Sequence, residues 1–274
     1  MIINYCSGGL GNRLIPLVSC MMFASAKQDE LSIVWPQTPR CMAKFESLFE
    51  NNIKQTSFLE LEFLDLNDTV IYANYFDIVN DAQINNIQTF LKIADFIGCL
   101  PINQLNLNEQ KRNIIIYHNT FLPLYENINS LLKELKIKDS IIHYVNEFIS
   151  SNAIDTNVYG IHARSTDFVG SSLDIYKNKI EEILNADNNS KIYFCSDNPE
   201  WEEIVKKLYQ NNIIIRTKED NVHKINKNYS WINNAFTSEL AVVEGLKDIL
   251  ILSKTNITFY NPNSTFALLA KRLQ

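Results

Sequence analysis

The chain has 274 residues, of which 46% are apolar and 20% charged, with a net charge of −6. This is the composition of a soluble globular protein with a sizeable core, and the length suits two domains of ordinary size. The acidic balance excludes non-specific nucleic-acid binding, which needs a basic face, but allows a local basic pocket for a nucleotide.

The five cysteines, Cys6, Cys20, Cys41, Cys99 and Cys195, are odd in number and lack Cys-x-x-Cys spacing. They read as reduced core residues, not as a disulfide frame or a zinc site. No signal peptide is expected before the first strand. The longest nearly apolar run, Leu14 to Ala26, is interrupted by Pro16, Ser19 and Ser25 and is too short to span a bilayer. A soluble, cytoplasmic protein is expected, with a peripheral contact at the inner face of the membrane left open.

Met1 to Tyr5 predicts a strand, and Cys6 to Asn12 carries three of the seven glycines. Leu14 to Lys27 has apolar residues at helical spacing, and Leu31 to Trp35 predicts a second strand closed by Pro36 and Pro39. Strand, glycine loop, helix and strand make a βαβ opening. The loop Gly8-Gly9-Leu10-Gly11-Asn12-Arg13 has neither the dinucleotide spacing nor a P-loop lysine. Its glycines allow backbone to approach a ligand, with Asn12 and Arg13 aimed into the crevice, or they form a plain tight turn. Met42 to Phe49 predicts a short helix and Ile84 to Ile97 a longer one. Phe58 to Leu64 and Thr69 to Tyr72 are expected as short strands, Asn113 to Tyr117 as a clear one. His118 then reads as a polar loop residue. Leu131 to Ser150 is mostly helical and Asn152 to Thr156 a linker, which sets the expected domains as 1–154 and 155–274.

The second half alternates more cleanly. Strands are expected at Val158 to Ile161, Lys191 to Cys195, Ile213 to Ile215 and Ile257 to Tyr260. Helices are expected at Leu173 to Leu184, Pro199 to Tyr209, Ser238 to Ser253 and Ser264 to Leu273. This is a second parallel βαβ domain, and two such domains face to face would create a ligand cleft.

Four places carry candidate chemistry. Tyr159 to Phe168 reads as a strand interrupted by Gly160 and running into a loop that holds His162, Arg164 and Asp167. Carboxyl ends of strands are where α/β sheets bind ligands, and an arginine fork there suits phosphate. A solvated, helix-capping loop is the alternative. In Ser196-Asp197-Asn198-Pro199-Glu200-Trp201, Asp197 could hydrogen-bond sugar hydroxyls or, like Asn198, cap the next helix. Asp248 sits late in an apolar helix, where the macrodipole disfavours it, so it needs donors from a ligand or from protein. In Asn261 to Phe266, Ser264 is a natural N-cap, and the amides of Thr265 and Phe266 offer an anion site at the start of the last helix, with plain capping as the alternative.

Taken together, the glycine start, the His162-Ala163-Arg164-Ser165-Thr166-Asp167 loop, Ser196 to Trp201 and Asn263-Ser264-Thr265-Phe266 resemble the GDP-fucose-dependent fucosyltransferases. That superfamily holds bacterial α-1,2- and α-1,6-fucosyltransferases and protein O-fucosyltransferases. The motifs occur in the family's order across nearly the whole chain. The resemblance implies an α/β fold of GT-B type, two Rossmann-like domains facing each other across a cleft. The N-terminal domain would take the acceptor and the C-terminal one the GDP-sugar.

It also implies an inverting transfer of fucose from GDP-β-L-fucose to a glycan hydroxyl, with no metal required, and a setting in bacterial surface-glycan synthesis. By the resemblance, Arg164 binds the diphosphate, His162 lies close to the donor, and Asp248 contacts the guanosine. Ser264, Thr265 and Phe266 contact phosphate and base, and Asn12 lies near the transferred sugar. Gly9, Gly11, Arg13 and Asp197 complete the expected donor site. The catalytic set is Arg164, His162, Asp167 and Asn12. Many members carry a second arginine after the first, where this chain has Ser165, and the motifs do not fix the general base, for which Asp167 is a candidate. A transferase for another GDP-sugar and a non-catalytic carbohydrate- or nucleotide-binding protein are the competing readings. A Rossmann oxidoreductase is disfavoured, because neither half has Gly-x-Gly-x-x-Gly after its first strand.

Overall fold

Runs of β-branched residues that are apolar on both faces predict buried parallel strands, and the chain opens on one. In the computed structural model β1 spans Ile2–Cys6, α1 Leu10–Lys27, β2 Leu31–Val34, α2 Phe45–Leu48 and β3 Lys54–Gln55. Then come α3 at Phe58–Leu61, β4 at Thr69–Ala73, α4 at Gln88–Ile97 and β5 at Asn113–His118. The structure describes residues 1–74, 78–79, 88–105, 108–118, 132, 135–165, 172–221, 223–224, 235–262 and 264–274.

Among the described residues these strands form a five-stranded sheet ordered β3-β2-β1-β5-β4, every pairing parallel. Alternation sends Ile2, Ile114 and Ile116 to one face, against Cys20, Phe23 and Ala24 of α1. Ile3, Tyr5, Ile115 and Tyr117 go to the other, against Phe90, Ile93 and Ala94 of α4. The chain moves from β1 outward to β2 and β3, then builds β5 against the other side of β1. That reversal makes the carboxyl ends of β1 and β5, where Cys6 lies level with His118, the switch point of this sheet.

Three expectations for this half are corrected. His118 is the last residue of β5 and not part of the loop beyond it. The first helix begins at Leu10, not Leu14, so Leu10 to Arg13 form its first turn and Pro16 lies inside it. Gly8, at φ +76°, makes the left-handed turn out of β1, and a Cβ there would come within 2.9 Å of Asn12 Nδ2. The segment from Phe58 to Leu64 is not a strand. Ser57 Oγ accepts the Glu60 amide, and the Glu60 carboxylate accepts the Ser57 amide, a capping box that winds α3.

The second half contains α5 (Asp139–Ser151), β6 (Tyr159–Ala163), α6 (Leu173–Ala186), β7 (Ile192–Ser196), α7 (Pro199–Leu208) and β8 (Ile213–Ile214). A short antiparallel ribbon of β9 (His223–Lys224) and β10 (Ala235–Phe236) follows, which the sequence did not predict. The chain closes with α8 (Glu239–Leu252), β11 (Asn256–Tyr260) and α9 (Thr265–Arg272). The sheet is ordered β11-β6-β7-β8 and is parallel throughout. Gly160 does not interrupt β6. It lies inside the strand, where a Cβ would sit 2.1 Å from Thr255 Oγ1 and 2.9 Å from Leu252 Cδ1, so only glycine lets α8 and its end pack this close. From β6 the chain runs to β7 and β8 on one side and returns as β11 on the other. The carboxyl ends of β6 and β11 are therefore the switch point of the second sheet.

By internal contacts the chain divides into residues 1–38 with 44–136, and 39–43 with 137–274. This division differs from the expected boundary at 154/155 by helix α5, whose Phe148 ring meets Tyr193 of β7 edge-on and whose Tyr144 ring faces Lys247 of α8. The five residues 39–43 join the second unit through hydrogen bonds between Pro39 O and Thr237 N, 2.7 Å, and between Met42 N and Thr237 O, 3.2 Å.

Candidate functional site in the second sheet

The register of β6 with its neighbours decides what stands at the switch point. His162 pairs with Cys195 on one side and Tyr260 on the other, and Ala163 pairs with Ser196. Arg164 and Ser165 therefore leave the sheet beside the turn that follows β7 and the turn that follows β11. Both backbone amides are held by side chains. The Arg164 N–H donates to Tyr176 Oη at 3.2 Å, and the Ser165 N–H donates to Asp197 Oδ1 at 2.8 Å. Tyr176 is itself fixed in the core against Phe194, Trp201 and Phe259. Asp197 thus braces the arginine loop, and Asn198 caps α7 by accepting the Glu200 amide at 3.0 Å. Asp167, with Thr166 and Phe168, lies outside the described residues, as does Asn263.

The start of α9 meets the end of β6 directly. Ser264 is buried and N-caps the helix through the Ala267 amide, as expected. Phe266, in the first turn, stacks its ring on His162 at a centroid distance of 4.4 Å and 14° from parallel. The structure thus brings His162, Arg164, Asp197, Ser264, Thr265 and Phe266 to one end of one sheet. A helix start presents amides without intrahelical partners at the positive end of its dipole, and here its Phe266 ring stacks on His162, two residues before Arg164.

His162 is fully enclosed. Burial, with the charges of Arg164 and Lys218, pushes its pKa down to about 3, against an upward pull from Asp248. Its Nδ1 is buried and has no hydrogen-bond partner among the described residues. A neutral imidazole can hydrogen-bond a ligand, but one held so acidic is a poor acceptor of a proton from a hydroxyl.

Asp248 has a different setting from the one expected at a ligand contact. Tyr193 Oη donates to its Oδ1 at 2.8 Å and Arg216 Nε at 2.9 Å, while Lys218 Nζ lies 3.0 Å from Oδ2. Both carboxylate oxygens are met by protein groups, and the residue is 3% exposed. Burial alone would raise its pKa; Lys218 and Arg216 outweigh that and hold it below the ordinary value. Arg216 also pairs with Glu244 and Lys218 with Glu202, and Lys247 Nζ reaches Glu244 Oε1 at 2.7 Å. Three cations and three carboxylates cancel in this buried network, so it adds no net charge beside Arg164.

Arg216, Lys218, Glu202, Glu244 and Tyr176 were not singled out from sequence. Two signals were there to be read. Arg216 and Lys218 follow β8 two residues apart, the spacing of one strand face, and Glu244 and Asp248 share one face of an otherwise apolar helix.

In the first unit the glycine turn gives a mixed outcome. Gly9 is the extended N-cap of α1 and Gly11 is buried in its first turn. Asn4 Nδ2, Ser7 Oγ and Asn12 Oδ1 are buried without hydrogen-bond partners among the described residues, all at the β1–α1 turn or just before it. Arg13 departs from its expected role. Its side chain is 0% exposed, donating from Nε to Gly8 O at 2.9 Å, from Nη1 to Pro36 O at 2.7 Å and from Nη2 to Thr38 Oγ1 at 3.1 Å. With its carbon 4.9 Å from the Trp35 ring centre, it ties the β1–α1 turn to the segment after β2 and has no donor nitrogen left unused.

Among the described residues no group of three or more His, Cys, Asp or Glu side chains is placed to hold a metal ion, and no helix is long and apolar enough to cross a membrane.

No protein-family model and no curated protein matches the sequence. Solved structures do match it. A NodZ α-1,6-fucosyltransferase soaked with GDP-fucose superposes with a TM-score of 0.65 at 16% identity, covering 99% of this chain and 91% of that one. Fucosyltransferase NodZ from Bradyrhizobium gives 0.64 at 14%, covering 98% and 92%. POFUT1 in complex with GDP-fucose gives 0.55 at 13%, covering 99% and 93%. At such identities the likeness is one of fold, and the fold is the α/β, GT-B type that the resemblance implies.

Proposed function

We propose that this chain is a metal-independent, inverting glycosyltransferase that moves fucose from GDP-β-L-fucose to a hydroxyl of a glycan acceptor, with surface-glycan synthesis as the setting the resemblance implies. The observation that carries the reading is the convergence of Arg164 and the start of α9 at the switch point of the second sheet, joined through the stacked rings of His162 and Phe266. The proteins of like fold include ones solved with GDP-fucose.

In this reading the second unit holds the GDP moiety and the first the acceptor. Arg164 and the first amides of α9 accept the charge that develops on the diphosphate as the bond from the sugar anomeric carbon to phosphate oxygen breaks. GDP leaves with the bonding electron pair. The acceptor oxygen forms the new bond from the opposite face and gives its proton to a base, for which Asp167 remains the proposed group. His162 stays neutral and orients the donor. Asp197 serves through the Ser165 amide, and Asp248 through Arg216 and Lys218. The polar atoms of Ser7 and Asn12 at the β1–α1 turn are of a kind that sugar hydroxyls satisfy.

The test is GDP release from GDP-fucose, with and without excess EDTA, against GDP-mannose and a UDP-sugar. Release from GDP-fucose that survives EDTA is expected. Tight GDP binding without release would favour a non-catalytic binding protein, and preference for GDP-mannose another hexose donor.

A further inference from the structure

Lys218 has no part in the sequence motifs, yet it occupies the centre of the polar network behind the arginine loop. An ammonium has three donors, and here each has one acceptor. Nζ meets Ser196 O at 2.7 Å, Asp248 Oδ2 at 3.0 Å and the Glu202 carboxylate. The same Glu202 Oε1 accepts the Ser196 N–H at 2.8 Å. Both backbone groups of Ser196 are therefore gripped by one ion pair at the residue where β7 ends. The Ser196 hydroxyl in turn accepts the Asn198 amide at 3.1 Å, fixing the turn between them.

The residue inside that turn is Asp197, whose Oδ1 holds the Ser165 amide at 2.8 Å, one peptide beyond Arg164. Lys218, Ser196, Asp197, Ser165 and Arg164 thus form a continuous chain of contacts ending at the guanidinium-bearing residue. An apolar side chain of similar length could fill the space of Lys218 without the cost of burying an ammonium. It could not tie the Ser196 carbonyl. We propose that Lys218 is a positioning residue for the transfer reaction, acting with Glu202 through Ser196 and Asp197 to set the loop that carries Arg164. This rests on the transferase reading above.

The experiment uses the full chain and compares wild type with Lys218→Met, Asp197→Ala and the double variant, reading kcat/KM for GDP-fucose. If Lys218 works through Asp197, the single loss from Lys218→Met falls on the order of 10–100-fold, the scale of a small misplacement of a charged group. The double variant is then no worse than Asp197→Ala alone, because coupled sites are not additive. The same cycle with Glu202→Gln covers the case in which Lys218→Met does not fold. Losses that multiply, or Lys218→Met and Glu202→Gln within about twofold of wild type, would overturn the positioning role alone. Wild type that leaves GDP-fucose intact would instead remove the transferase reading and this inference with it.

Discussion

The imidazole of His162 lies flat against the phenyl ring of Phe266, 4.4 Å between centres, and that contact joins the end of β6 to the start of the last helix. Because the ring is buried and faces Arg164 and Lys218, it stays neutral in the folded protein down to about pH 3. In the unfolded chain it takes up a proton below about 6.5. The unfolded state therefore binds more protons between these values, and stability is lost as pH falls from about 6.5 towards 3. Thermal unfolding of wild type and His162→Phe across pH 7 to 4 should show the steeper decline in wild type. A pH-independent difference between them would mean that the histidine takes up its proton as readily in the folded protein as in the unfolded chain.

Arg164 is half-buried in a loop rather than set in the core, so its removal should spare the fold. Arg164→Ala is expected to lower kcat for donor cleavage by roughly 10²–10³-fold, the scale of losing one preorganised charge-stabilising donor. Arg164→Lys should recover only part of this, since an ammonium cannot bind two diphosphate oxygens in parallel. Far-UV circular dichroism and the melting temperature are expected to be those of wild type.

Arg13 should behave in the opposite way. Three of its nitrogens satisfy buried acceptors, so Arg13→Met leaves Gly8 O, Pro36 O and Thr38 Oγ1 to find other donors. A destabilisation of about 2–4 kcal/mol in urea unfolding is expected, each orphaned group costing about 1–3 kcal/mol with partial relaxation. GDP affinity of the folded fraction is expected to stay the same, and its loss without any change in stability would return Arg13 to the ligand site.

The pairing of Asp248 with Arg216 and Lys218 sets a further expectation. Asp248→Ala leaves two buried cations short of a partner, which typically costs about 3–5 kcal/mol. Denaturant unfolding measures this directly. If Asp248→Ala is as stable as wild type but binds GDP weakly, the carboxylate serves the nucleotide and not the network.

The sequence disclosed the alternation of strands and helices, because period-two and 3.6-residue patterns are local, and it disclosed the arginine loop and the Ser264 cap for the same reason. What it could not disclose is which residues meet across the sheet. Asp197 reads equally well as a cap or a ligand group until the register of β6 against β7 places Ser165 beside it. Asp248 was visible as an anomaly, but its partners lie 32 and 30 residues earlier in sequence, at Arg216 and Lys218, and only the packing of α8 on the sheet brings them together. Arg13 reads as a ligand group because its neighbours are glycines, whereas its side chain is buried and bonded within the protein. Its three carbonyl and hydroxyl acceptors come from two places, Gly8 ahead of the helix and Pro36 and Thr38 after β2.

The segment 39–43 has a practical bearing on how this protein can be dissected. Thr237 exchanges both of its backbone hydrogen bonds with Pro39 and Met42, residues that precede the rest of their unit by nearly a hundred positions. A single cut in the gene therefore cannot yield either half intact: a fragment starting at 137 is missing a piece of its own edge, and one ending at 136 carries that piece as an orphan.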